Sequence, residues 1–165
     1  MDVKTIQFLW QYMVHADEQI AEAAGTLSEE GYRREQNISF GSVHKLLLHA
    51  VAAQQVWLKR LRGETAQYEE QPYATLAEVV SAWRQVDGDL LNFAAGISPE
   101  RLQAAVNFHT RAGQPYAIAT WALMLHVADH ATYHRGQLNS MIKLAGGKPS
   151  PVMLLPFAAK QYGGR

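Results

Sequence analysis

The chain of 165 residues has no cysteine. This excludes disulfides, thiolate metal ligands and a protein cysteine nucleophile together. A metal would have to sit on histidine, carboxylate or water, and any thiol chemistry would draw its sulfur from a separate molecule. An excess of one charge is also lacking. Fifteen Lys and Arg balance fifteen Asp and Glu, and neither sign gathers into a run, so the basic footprint of a nucleic-acid binder is missing. Long hydrophobic runs are absent too. The opening MDVKTIQFLWQYMVHADEQIAEAAG breaks its apolar residues with Asp, Lys, Gln, His and Glu, which suits neither a signal peptide nor a membrane span. The expectation is a cytoplasmic protein with no nucleic-acid or membrane partner. Neither HExxH nor ExxH occurs, which argues against a zincin protease and a ferritin-like di-iron site, and there is no Gly-rich phosphate loop or GxSxG elbow.

What the chain does have is helical periodicity. Ile6, Leu9, Met13, Ala16, Ile20 and Ala23 recur at steps of three and four, which predicts a first helix ending near Gly25, with Asp17, Glu18 and Glu22 off the apolar stripe. A second helix opens at Ser42 as N-cap and stops at Gly63, with Lys45, Ala52, Gln55, Lys59 and Arg62 as its wet side. The polar stretch from Gly63 to Tyr73, broken by Pro72, reads as a crossing loop. Thr75 and Glu78 form a capping box for a third helix, lined by Leu76, Val79, Trp83, Val86, Leu90 and Phe93 and ended by Gly96. SPERLQ repeats the look of a helix start, and AAVNFHTRAGQPYAI suggests a small hairpin. The fourth and longest helix is expected from Ala117 to Ala145, closed by GGKPSP. One domain spanning residues 1–165 suits the length. The fold class is all-α, a four-helix bundle, and the long polar segments after the first and third helices call for one or more crossover connections.

The last helix carries HVADHATYHRGQ, three of the seven histidines of the chain within nine positions. Each four-residue step turns the direction by about 40°, so the three fan out. His130 and His134 fall on the apolar face with Leu123, Val127, Ala131, Leu138 and Met141; His126 lies at its edge, and Arg135, Asn139 and Lys143 fall on the wet side. Gln137 flanks His130 as a pocket-lining candidate. Histidines at i and i+4 can share one cation, but a mononuclear site generally needs a third ligand. The most economical one is His49, at the border of the second helix's apolar face; the same position also suits a partly exposed, hydrogen-bonded histidine. His44 points elsewhere, and His15 and His109 belong to other segments.

These features together resemble the DinB family: the helix-two histidine within SFGSVHKLLLHAVAAQQVWL, then HVADHATYHRGQL and the LAGGKPSP break. The resemblance covers nearly the whole chain. It implies a metal triad at His49, His130 and His134, a crossover bundle, a homodimer, and one divalent metal, zinc or nickel first, with iron, cobalt or manganese also fitting the ligands. It implies an S-transferase using a low-molecular-weight thiol as co-substrate. A metal-dependent hydrolase and a non-catalytic dimeric metal-binding or stress-response protein stay open beside it, and the small-molecule substrate is unnamed.

Overall fold

A computed structural model describes residues 1–110 and 112–163. Four long helices dominate it: α1 (Val3–Ala24), α3 (Val43–Leu61), α4 (Leu76–Ala95) and α6 (Thr120–Leu144). Between them lie the short α2 (Glu29–Arg33) and α5 (Pro99–Gln103) and the strands β1 (Ala105–His109) and β2 (Pro115–Ala119); α7 (Leu154–Tyr162) follows. Helix starts follow local chemistry. Asp2 accepts from the Thr5 N–H at 2.8 Å, and Ser42 accepts from that of Lys45 at 3.2 Å. Thr75 and Glu78 form the full reciprocal capping box. Ser98 caps α5, with Pro99 in its first turn.

In the bundle α1 packs on α4 and α6, and α3 packs on the same two. Helices consecutive among the long four, α1 with α3 and α4 with α6, therefore stand across diagonals. The segments after α1 and α4 are the crossovers that the long polar connections required. The core runs between the four, with Ile6, Trp10, Leu46, Leu47, Leu90, Met124 and Leu138 fully buried. Trp10 also donates its indole N–H to the Met124 carbonyl at 2.9 Å, tying α1 to α6.

The expected hairpin forms, with Ala105 opposite Ala119 and His109 opposite Pro115. It moves the start of the last helix from Ala117 to Thr120, because Pro115–Ala119 pair with β1 before the chain coils. No loop separates β2 from α6. Thr120 joins both, its N–H and its hydroxyl each donating to the Ala104 carbonyl at 2.9 Å. At the other end of α6, Gly146 takes φ +88°, the left-handed conformation glycine tolerates best. A Cβ on Gly147 would stand 2.7 Å from Leu27.

Three expectations need correction. Arg135 is not on the wet side; it is 3% exposed and paired with Asp17, which is itself 1% exposed rather than off the buried stripe. Ala52 is buried as well. The tail holds a helix that periodicity did not suggest, α7, whose Phe157 stacks on His15 with ring centroids 5.1 Å apart.

Candidate metal centre

His49 comes from the second turn of α3, and His130 and His134 from the middle of α6, two helices that pack directly on each other. The Nε2 of His134 lies 3.2 Å from that of His49 and 3.1 Å from that of His130. All three ligand atoms lie within 4.8 Å of one another. Nitrogens about 2.0–2.1 Å from a tetrahedral cation stand about 3.3 Å apart, close to the shorter separations here. The three histidines thus fit one metal ion.

Two of the three opposite ring nitrogens, those of His134 and His49, are already engaged. The Nδ1 of His134 meets Gln137 Oε1 at 2.8 Å, and since an amide oxygen only accepts, that nitrogen carries the proton. The Nδ1 of His49 meets the Tyr68 hydroxyl at 2.7 Å, and that hydroxyl donates to Glu70. His49 therefore also holds its proton on Nδ1 and turns a bare Nε2 inward. Outer partners of this type fix the tautomer and aim of metal-binding imidazoles. Bare lone pairs facing one another repel, and a shared cation resolves that conflict.

Burial holds the triad neutral. His130 is pushed down to about 4, first by loss of solvent and then by His134, His49 and His126. Burial lowers His49 as well, followed by His134, with Glu70 opposing. Burial also lowers His134, against the Gln137 hydrogen bond. Neutral imidazoles are the form that binds metal.

Rings wall the site. Phe40 stacks on His49 with centroids 4.3 Å apart and meets His134 edge-on at 5.7 Å. It is carried by a turn in which Ser39 (φ +50°) and Gly41 (φ +87°) both take left-handed backbone. His126 stays at the rim, exposed, its ring edge-on to Trp57 at 4.8 Å, as its place on the helix edge suggested. His44 turns away to the Tyr32 hydroxyl at 2.8 Å. Periodicity did not point to Phe40, Tyr68 or Glu70. Phe40 sits in the quoted SFGS entry and the other two in a loop, where helical spacing carries no information. Gln137 serves His134 rather than His130.

The sequence pattern of the DinB family matches residues 1–162. The chain belongs to the DinB family. Protein DinB of Bacillus subtilis strain 168 is 25% identical over 152 residues, 87% of either chain. A DinB-like crystal structure from Bacillus cereus superposes with a TM-score of 0.68 at 19% identity, covering 87% of this chain and 93% of that one. A second, from Bacillus subtilis, gives 0.66 at 13% identity, covering 87% and 95%. The all-α DinB-like fold holds across that sequence distance.

Beneath the triad lies a second polar group. Arg135 donates to Asp17 at 2.7 Å and to the Thr132 hydroxyl at 2.7 Å, and Gln54 donates to the other Asp17 oxygen at 2.7 Å. Asp87 lies in the same layer, 5% exposed. Burial raises both carboxyls. Arg135 and Gln54 pull Asp17 back, whereas burial, reinforced by the Asp17 charge, pushes Asp87 up to about 9. One cation thus serves two carboxyls, and Asp87 keeps the proton. A cavity of about 10 Å³ between Asp17, Gln54, Trp83, His130, His134 and Arg135 joins this layer to the triad.

Proposed function

We propose that this DinB family member is a mononuclear metal-dependent enzyme with His49, His130 and His134 as ligands, acting as an S-transferase for a low-molecular-weight thiol. The observation that carries the reading is the convergence of three Nε2 atoms, two of which, on His134 and His49, are left bare because the opposite nitrogens are committed to Gln137 and Tyr68. Among the described residues no further His, Asp or Glu joins that cluster, which leaves coordination positions for an outside molecule. A bound divalent cation, zinc or nickel first, supplies Lewis acidity that turns a thiol toward thiolate at neutral pH. The protein residues hold and aim. Gln137 and Tyr68 orient two imidazoles, Phe40 excludes water from one face, and the absence of cysteine leaves the sulfur to a co-substrate. The working form is taken as a homodimer, supported by the exposed apolar Leu144, Met153 and Leu155.

The test is metal analysis of protein made without a polyhistidine tag, paired with S-conjugation of a chlorodinitrobenzene by several cellular thiols. Wild type should hold about one equivalent of metal and conjugate at least one thiol. His49→Ala, His130→Ala and His134→Ala should each lose both properties, and His126→Ala should keep the metal. Ester or amide turnover without thiol transfer would replace this reading with a hydrolase. Metal retention with neither activity would leave a binding module.

A further inference from the structure

Beside the triad runs a groove of about 800 Å³, walled by the end of α3, the loop after it and the hairpin. That is the size of a small-molecule site. Tyr68 lines the groove while contacting His49 Nδ1, so groove and triad share a wall.

Arg60 stands on the floor. Its guanidinium carbon lies 4.8 Å from the Trp57 ring and 5.1 Å from the Phe108 ring. The side chain is half-buried and its Nε is fully buried with no hydrogen-bond partner. Among the described residues Arg60 makes no ion pair, while Arg33, Arg34, Arg62, Arg84 and Arg135 each have a carboxylate within 4.0 Å. Withdrawal from solvent lowers its hold on the proton. A guanidinium packed against two rings that themselves meet edge-to-face, with its fork free, is a preformed receptor for a planar anion, because arginine pairs with carboxylates through two parallel hydrogen bonds.

We propose that Arg60 binds a carboxylate of the small molecule that enters this groove, so that the co-substrate is a carboxylate-bearing compound of peptide-like size. This deepens the thiol-transfer reading and rests on it for the identity of the groove as the substrate's seat. Glu64 on the same wall adds an acceptor for an amino group, which suits a zwitterionic ligand better than a simple polyanion.

The experiment measures binding of S-methylglutathione, a thioether with two carboxylates, one amine and no free thiol. Calorimetry would follow it on the full-length protein as purified and again after chelator treatment. Binding should occur in both preparations, weaken about tenfold or more in Arg60→Gln and recover partly in Arg60→Lys, in line with a charged hydrogen bond. The dimethyl ester of the same probe should bind as weakly to wild type as the acid binds to Arg60→Gln. Equal affinity for the acid and the ester, equal affinity in wild type and Arg60→Gln, or no binding to wild type would overturn the proposal. Because metal is removed in one arm, loss of the metal-dependent reading leaves this result standing, and the reverse also holds.

Discussion

Two polar clusters sit one layer apart and share α3 and α6, the lower drawing also on α1 and α4, and neighbouring residues divide between them: His134 belongs to the upper and Arg135 to the lower. The lower cluster contains its own cation. Asp17, Gln54, Thr132 and Arg135 pair internally, and all but Thr132 are almost wholly buried. The upper cluster has three convergent bases and no internal cation. A bundle core tolerates polarity if each charge is matched; the lower layer is matched from within, and the upper is built to be matched from outside. The lower layer also forms the floor on which His130 and His134 rest, with only a cavity of about 10 Å³ between them.

The comparison breaks most sharply at Arg135. Arg135→Ala leaves Asp17 buried without its counter-charge, and unfolding free energy from urea denaturation should fall by about 3–5 kcal/mol. Whatever protein remains folded at low temperature should still bind metal, because no triad contact is removed; loss of metal at full stability would mean that the two layers are one site.

A smaller effect is expected at Gln137. Gln137→Leu releases His134 Nδ1 while keeping its Nε2, so metal affinity by chelator competition should drop roughly 10–100-fold, with the metal-free stability unchanged. An unchanged affinity would show that packing alone aims the ring.

The smallest effect separates the layers by pH. Asp87 keeps its proton to about 9 when folded, against 3.8 for an ordinary aspartate. Between those values the folded state binds more protons than the unfolded, so this group's contribution is lost as pH rises. His130 runs the other way: its folded value of about 4 lies below the usual 6.5, so stability is lost as pH falls across that interval. Above pH 6.5 only the Asp87 slope remains of these two. Asp87→Asn, which mimics the neutral acid, should therefore gain about 1 kcal/mol over wild type between pH 7 and pH 8, while the acid-side loss persists. Parallel curves for the two proteins from pH 7 to pH 8 would mean that Asp87 is ionised.

The same division explains what could be read from residues alone. Apolar stripes, caps at Ser42 and Thr75, the double-glycine stop and the crossovers were legible, because each is a local pattern or a length constraint. His130 and His134 were legible through helix rotation, and His49 by elimination. Asp17 and Arg135 were not: each looks like a solvent residue on its own helix, and only their meeting across α1 and α6 makes either one buried. Phe40, Tyr68 and Glu70 come from turn and loop, where position depends on tertiary path. Helix α7 was hidden by Pro156, which sits in its first turn, where proline is tolerated.

The direct passage from β2 into α6 has a mechanical meaning. The hairpin that walls the Arg60 groove and the helix that carries two imidazoles share an axle, with Thr120 pinned at the joint by two bonds to Ala104. No slack loop lies between Ala119 and Thr120 to absorb a displacement. The width of the groove and the direction of His130 are thus coupled coordinates: a molecule that pulls the hairpin inward must either twist the first turns of α6 or break that pin.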